Sequence, residues 1–146
     1  MGIVARLAAM LVITAPLGLA YAAGTGGNPP SPPSEPAAKD FWIYFDSDSF
    51  VIRPDARDTL DGVARAIKQL GRAKVTLTGH ADTAGSRGND MTLSRRRAEQ
   101  AKAYLVKEGV PADDIATVGK GQTDLRVSTP RNTHSQENRN VHIELQ

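Results

Sequence analysis

The sequence has no cysteine, few aromatic residues and no strong excess of charge of either sign. Its 146 residues include 5% Phe, Trp and Tyr, and 18 basic against 16 acidic side chains, for a net charge of +2. Without cysteine, these residues provide no disulfide, thiolate nucleophile, cysteine-ligated zinc site or lipid-modified N-terminal cysteine. The nearly balanced charge gives no broad basic surface for neutralising phosphates, so we expect no nucleic-acid partner.

Sequence motifs for nucleotides, metals and covalent catalysis are also missing. Neither GxxxxGKS/T nor a GxGxxG between a strand and a helix occurs, so we expect no nucleotide partner. His80, His134 and His142 show neither HExxH nor close ligand spacing, so we expect no metal and no other cofactor. Ser86 and Ser94 lack the GxSxG setting of an activated nucleophile. These absences favour a binding protein over an enzyme.

One long hydrophobic run is present, close to the start of the sequence. It is uncharged over residues 7–23, follows Arg6 and contains Pro16. A basic residue, an apolar segment and the small residues of Ala20-Tyr21-Ala22 are typical of a secretory signal peptide, which we predict over residues 1–22. The alternative is a retained membrane anchor, but 17 uncharged residues barely reach the length of a transmembrane helix.

Residues 23–38 have the composition of a linker. Five prolines and three glycines fall within residues 24–38, and no apolar periodicity is present there. Such a segment is expected to be extended and without a packed core. We therefore predict a linker over residues 23–38 and one folded domain over residues 39–146.

Hydrophobic periodicity within residues 39–146 predicts alternating strands and helices. Period-two runs bounded by polar turns indicate strands, and apolar residues at helical spacing indicate helices. The predicted order is βαβαββ, an α/β fold of the α+β two-layer type with a mixed sheet, two helices on one face and a closing hairpin-like pair of strands. The predicted elements are strands Phe41–Phe45, Lys74–His80, Ile115–Gly119 and Val141–Leu145, and helices Pro54–Leu70 and Asp90 (or Met91)–Glu108.

The second predicted helix contains three consecutive arginines that the helical phase separates. An advance of about 100° per residue puts Arg97 within the apolar stripe and Arg95 and Arg96 outside it. A guanidinium removed from water without a partner costs several kcal/mol, so we expect a carboxylate or a bound anion to meet Arg97. Asp82, which follows the preceding strand, is the candidate carboxylate.

Two interpretations of Asp82 and Arg97 follow from the residues alone. In the first, the two side chains form an internal ion pair with no further role. In the second, Asp82 holds an ammonium while Arg97 and the helix N-terminus hold a carboxylate, which makes a site for a zwitterionic, amino-acid-like group. Asp46 and Asp48 leave a similar choice between an acid pair and ordinary turn residues, of which residue preferences favour the turn.

Three segments together resemble one known family. The segment TGHADTAGSRGNDMTLSRRRAEQAKAYL over residues 78–105 is similar to the pattern GHTDxxGxxxYNxxLSxRRAxxVxxYL of the OmpA-like peptidoglycan-binding domain. Upstream, FDSDSFVIRPDARDTLDGVARAIK resembles the family's FDxxSxxLxPxxxxxLxxxAxxLK, and the C-terminal VGKGQTD and ENRNVHIEL resemble GxGexxP and NRRVEI. The motifs occur in the family's order and cover almost the whole predicted domain.

The resemblance implies the same βαβαββ sandwich and noncovalent binding of peptidoglycan through the meso-diaminopimelate of its stem peptide. In the family, the positions of Asp82 and Arg97 hold the ammonium and carboxylate of that residue. Asp46, Thr83 and Asp90 are further candidate ligand contacts. Asn89-Asp90 replaces the family's Tyr-Asn, and we expect Asp90 to serve as the helix N-cap.

The resemblance also implies a location and partners. We expect an exported, periplasmic protein associated with peptidoglycan and with the periphery of the outer membrane, where other envelope or outer-membrane proteins are further candidate partners. Because the chain has no cysteine, the lipoprotein form of the family is excluded. Two alternatives stay open: an inner-membrane-anchored, stator-like wall-binding protein, and an enzyme that processes peptidoglycan.

Export predicts a specific mature mass. After expression in a Gram-negative host, the intact mass of the purified protein should lack residues 1–22, and the protein should be recovered without detergent. A mass that includes residues 1–22, together with detergent-dependent extraction, would favour the anchored alternative.

Overall fold

The structure, a computed structural model, describes residues 39–146. The predicted signal peptide (1–22) and linker (23–38) lie outside the described residues, and the boundaries of these three segments stay predictions. Two 3₁₀ turns, Ala112–Asp114 and Gln136–Asn138, accompany the regular elements. The strands and helices are β1 (Asp40–Tyr44), α1 (Pro54–Leu70), β2 (Val75–Gly79), α2 (Arg87–Lys107), β3 (Ile115–Gly119) and β4 (Asn140–Leu145).

The four strands form one mixed sheet in the order β1-β4-β2-β3. β2 and β3 are parallel, as expected for strands joined through a helix, whereas β4 is antiparallel to both β1 and β2. The predicted α/β fold class is thus confirmed. The predicted hairpin-like pairing of the last two strands is wrong, because β4 lies between β1 and β2. This central position buries Val141, Ile143 and Leu145.

One hydrophobic core lies between the sheet and the two helices. In β2, Val75, Leu77 and Gly79 are buried while Thr76 and Thr78 are half-buried, so one face of the strand packs on the helices. Within residues 39–146, no helix has the length and hydropathy needed to cross a membrane. The core includes these fully or nearly fully buried side chains: Ile43, Phe45, Leu60, Val63, Val75, Leu77, Ala98, Ala101, Leu105, Val141 and Ile143.

The two helices begin with different chemistry. Pro54 occupies the first turn of α1, where its fixed φ suits the helix and its missing N–H is not needed. α2 begins at Arg87, about three residues before its predicted start, because Ser86 is its N-cap and accepts a hydrogen bond from Asn89 N at 3.4 Å. The prediction that Asp90 caps this helix is therefore wrong.

Two glycines allow α2 to touch the sheet directly. Gly79 and Gly119 are register partners at the ends of the parallel strands β2 and β3. A Cβ on Gly79 would lie 1.9 Å from the carbonyl oxygen of Ser94, and a Cβ on Gly119 would lie 2.9 Å from Arg95 N. This close approach places the next residues of α2, including Arg97, against the end of the sheet.

Substitution of Gly79 should test this contact. Gly79→Ala should lower the free energy of unfolding by about 3 kcal/mol, because the methyl group overlaps a helix backbone that cannot move without disturbing the core. The matched control is Gly88→Ala in the first turn of α2, where a Cβ meets nothing within 4 Å. The control should stabilise the domain by up to about 1 kcal/mol. Urea unfolding of both variants checks the prediction, and equal stabilities would contradict it.

Candidate ligand-binding cleft

Arg97 is the most deeply buried charged residue of the described chain. Its side chain has 0% exposure, whereas Arg95 and Arg96 are exposed. The orientation predicted from the helical phase is thus confirmed. Its guanidinium also lies over the ring of Phe45, with Cζ 5.3 Å from the ring centroid.

Three backbone carbonyls hold the guanidinium. Nε donates to Ser49 O at 2.8 Å, Nη1 to His80 O at 2.9 Å and Nη2 to Asp46 O at 3.0 Å. The prediction of a protein carboxylate as the direct partner is therefore wrong, and the alternative of a bound anion stays a prediction. The turn after β1 and the end of β2 present carbonyl groups that have no strand partner, and a buried arginine satisfies them.

Burial also sets the charge state of this residue. Desolvation lowers the pKa of Arg97 to about 10, while the nearby carboxylates, Asp82 foremost, act in the opposite direction. The guanidinium is therefore still protonated at neutral pH. It places one fixed positive charge beneath the surface at this end of the sheet.

Asp82 is buried next to this centre but pairs with a different arginine. Its exposure is 7%, and its Oδ2 accepts from Arg139 Nη1 at 2.9 Å and from Ser135 N at 3.1 Å. Its Oδ1 accepts one long hydrogen bond, from Ala84 N at 3.4 Å. Burial acts to raise the pKa of Asp82, but the hydrogen bonds from Arg139, Ser135 and Ala84 outweigh it and the pKa is lowered. The interpretation of Asp82 and Arg97 as a simple ion pair is wrong.

Arg139 is the site residue that the sequence analysis missed. It stands just before β4 and pairs with Phe45 across the sheet: Phe45 N donates to Arg139 O at 2.8 Å, and Arg139 Nε donates to Phe45 O at 3.1 Å. The Asn-Arg before the last strand could have suggested it. The pairing of Arg139 with Asp82 depends on β4 being antiparallel to β2, because this direction brings Arg139 to the same end of the sheet as Asp82.

Asp90 faces the interior instead of capping the helix. Its exposure is 4%, and Gln122 Nε2 donates to its Oδ2 at 2.5 Å. Burial raises the pKa of Asp90, and Gln122 partly offsets this. Gly85 makes room for the carboxylate, since a Cβ there would lie 2.6 Å from Asp90 Oδ1.

Thr83 and Asp46 hold loops at the edge of the cleft. The Thr83 hydroxyl donates to Pro130 O at 2.5 Å and accepts from Thr133 N at 3.2 Å, which fixes the segment before β4. The exposed Asp46 accepts from Arg97 through its carbonyl and from Arg53 Nη1 through its carboxylate, at 3.2 Å. Asp46 thus lies in a turn, as its residue type predicted.

The histidine of the GHxD segment has structural contacts. His80 Nδ1 lies 3.3 Å from Thr123 O, and burial lowers the pKa of this imidazole. His134 Nδ1 lies 3.6 Å from Asp82 Oδ2. Over residues 39–146, no group of three or more His, Asp or Glu residues is arranged to hold a metal ion.

The candidate cleft therefore combines both signs of charge among side chains that are buried or nearly so. Two arginines and two carboxylates, Arg97, Arg139, Asp82 and Asp90, meet where β2 ends and α2 begins. Each has its own hydrogen-bond partners, and Asp82 Oδ1 keeps spare acceptor capacity. Such an arrangement can bind a zwitterion, because it offers an acceptor and fixed positive charge side by side.

Comparison with known proteins decides the family. The model of the OmpA family matches residues 44–139, which run from the last residue of β1 through both helices to Arg139. The chain belongs to the OmpA family. The match includes all four charged residues of the cleft and ends just before β4.

Relatives of this OmpA-family chain are envelope proteins by name. It is 33% identical to outer membrane protein A of Bordetella avium over 120 residues, which are 80% of this chain and 62% of that protein. It is 40% identical to the peptidoglycan-associated lipoprotein of Rhizobium meliloti over 80 residues, which are 55% of this chain and 46% of that protein. The chain thus spans less than two thirds of the length of either relative.

A solved structure agrees with this fold. The peptidoglycan-associated lipoprotein from Burkholderia pseudomallei aligns with a TM-score of 0.67 over 78% of this chain and 96% of that structure. The sequence identity is 23%. The likeness supports the two-layer architecture of the OmpA-family domain.

The pairing of Asp82 makes the stability of this domain depend on pH. Its folded-state pKa is lowered from an unfolded value of about 3.9. The ionised carboxylate therefore stabilises the fold above that value, and the contribution is lost as pH falls through the folded-state pKa. Asp82→Asn should lower the free energy of unfolding by about 1 to 2 kcal/mol at pH 7, and the difference from the wild type should shrink towards zero near pH 2.

The matched control is Asp58→Asn, which removes an exposed carboxylate from α1. Urea unfolding at several pH values compares the three proteins. The interpretation fails if the gap between the wild type and Asp82→Asn is the same at pH 7 and pH 2.

Proposed function

We propose that this OmpA-family domain binds peptidoglycan noncovalently and thereby tethers the chain, and any protein bound to it, to the cell wall. Family membership supports the proposal, as does the similarity to a relative named peptidoglycan-associated lipoprotein. The location implied is the periplasmic side of the envelope, reached by export through the signal peptide predicted over residues 1–22.

The ligand we propose is the meso-diaminopimelate of the stem peptide. The observation that carries this is the state of Asp82, a buried, ionised carboxylate whose Oδ1 accepts a single hydrogen bond of 3.4 Å. A carboxylate oxygen accepts more than one hydrogen bond, so Oδ1 is suited to receive an ammonium N–H from the ligand. A lysine side chain ends in an ammonium alone, whereas diaminopimelate adds a carboxylate beside it.

Arg97 would receive that carboxylate. Nη1 and Nη2 each donate one hydrogen bond to a backbone carbonyl, and each carries a second N–H. These donors lie beneath the exposed turn formed by Asp46, Ser47 and Asp48. Entry of the ligand therefore requires this turn to move away from the guanidinium. In this proposal, Asp46 contributes to binding as part of the turn that moves and exposes the Arg97 guanidinium to the ligand.

The other candidate residues have supporting roles in this proposal. Thr83 fixes the segment after Pro130 and keeps Asp82 in place from the next position in the chain. Gln122 donates to Asp90 and thereby fixes the orientation of its carboxylate. Arg139 orients Asp82 and stabilises its ionised form.

The geometry supports noncovalent ligand binding better than it supports catalysis. The cleft has carboxylates and guanidinium groups, each engaged in hydrogen bonds, and the relatives named above are not described as enzymes. A peptidoglycan-processing enzyme would need a nucleophile or an activated water. The stator-like alternative differs in its anchor, and the intact mass of the mature protein separates it from the exported form.

Binding to isolated walls tests the proposal. Asp82→Asn should reduce retention on walls that contain meso-diaminopimelate by at least about tenfold, because the amide lacks the charge that holds the ammonium. Wild-type protein should bind lysine-type walls much more weakly and be displaced by free meso-diaminopimelate. Sedimentation with purified sacculi measures both effects.

Matched variants separate a specific site from general adhesion. Arg97→Lys keeps the charge and removes the planar fork, so it should lose binding, whereas Arg95→Lys on the exposed face of the same helix should not. Arg97→Ala is less informative because it removes the donor to three carbonyls and leaves Ser49 O and His80 O without partners. Urea unfolding at pH 7 establishes that each variant is folded. Equal retention on both wall types, or full retention by Asp82→Asn, would exclude diaminopimelate as the ligand at this cleft.

A further inference from the structure

A second cleft opens directly beside Asp82. Its volume is about 340 Å³, and its walls come from the start of α2, the turn after β3 and the loop before β4. We call it the basic pocket and define it by its polar lining residues, which are Thr83, Arg87, Lys120, Gln122, Thr123 and Arg131.

The charge of the basic pocket is of one sign. Arg87, Lys120 and Arg131 line it, and its lining includes no carboxylate. Within residues 39–146, neither Arg87 nor Arg131 has an ion-pair partner within 4.0 Å, while Lys120 is bonded to Asp124 at 2.8 Å. Three cations around one cavity repel each other unless an anion lies between them, so the cavity is suited to an anionic group.

The basic pocket lies next to the residues of the cleft already described. Thr83, which lines it, is the residue after Asp82, and Gln122 joins it to Asp90 through the 2.5 Å hydrogen bond. A peptide advances about 3.3 to 3.6 Å per residue when extended. With the side-chain end of diaminopimelate at Asp82, its backbone and the residue next to it extend away from this site, and we expect the neighbouring basic pocket to lie within their reach.

We propose that the basic pocket binds a carboxylate of the residue next to diaminopimelate in the stem peptide. This rests on the proposed function, since it assumes that diaminopimelate occupies the Asp82 cleft. Arg87 and Arg131 offer planar pairs of donors that match a carboxylate. The domain then recognises a peptide of at least two residues through two separate clefts.

A lipid or inorganic phosphate is the competing occupant of such a cavity. Its position next to Asp82 favours the peptide, because a free phosphate gains nothing from that neighbour. A site for the peptide carboxylate should distinguish two peptides that differ only in whether their carboxylates are free or amidated. A phosphate site should not.

Two synthetic peptides provide the test. Both contain meso-diaminopimelate between glutamate and alanine. In one, the free carboxylates of these neighbours are intact, and in the other they are amides. By isothermal titration calorimetry, the wild-type protein should bind the acid form about tenfold more tightly than the amide form. The double variant Arg87→Gln/Arg131→Gln should bind both peptides with the affinity that the wild type has for the amide.

A matched control keeps the loss of charge constant. Arg65→Gln/Arg95→Gln removes two exposed arginines outside the basic pocket and should retain the tenfold preference. Equal binding of both peptides by the wild type would overturn this inference while leaving the proposed function intact. Binding of neither peptide would overturn the proposed function itself. Displacement of the peptides by inorganic phosphate without any preference for the acid form would identify a phosphate site and overturn the inference.

Discussion

The three hydrogen bonds from the buried guanidinium of Arg97 are the interaction on which this end of the domain depends. They join the turn after β1, the end of β2 and the helix α2. Two of these bonds satisfy Ser49 O and His80 O, and leaving such a group unpaired costs about 1 to 3 kcal/mol. The third adds to the bond that Asp46 O already accepts from Ser49 N. Because the same side chain serves all three, a movement of the turn changes the hydrogen bonds that join it to α2.

The sheet and its glycines make that interaction geometrically possible. Gly79 and Gly119 let α2 approach the ends of the parallel strands, and β4 lies antiparallel beside β2. The same arrangement brings Arg139 to Asp82. A positive charge buried under the turn and a second one paired with a carboxylate then lie side by side. This juxtaposition of opposite charges is the physical basis for proposing a zwitterionic ligand. The basic pocket adds further positive charge beside it.

Local periodicity in the sequence predicts the features that depend on residues close in the chain. Helical phase identified Arg97 as the inward arginine of three, and alternation in Val75, Leu77 and Gly79 identified the buried face of β2. Periodicity did not predict which partners the charged side chains have. Asp82 lies opposite Arg139 and not Arg97, and Asp90 lies in the first turn because Ser86 supplies the cap. Several polar residues near a helix start are equally suitable as its N-cap or as ion-pair partners, and the geometry of the turn decides between them.

The sequence by itself determined the elements, their α/β class, the family resemblance and the inward side of α2. These properties depend on contacts between residues close in the chain and on the period of apolar side chains. Tertiary structure alone decided which charges meet, because Asp82 and Arg139 are 57 positions apart and Arg97 and Asp46 are 51 apart. Their pairing depends on the central position of β4 and on carbonyl groups freed at the ends of strands. Neither feature leaves a periodic signal, since each arises from how distant segments share one sheet.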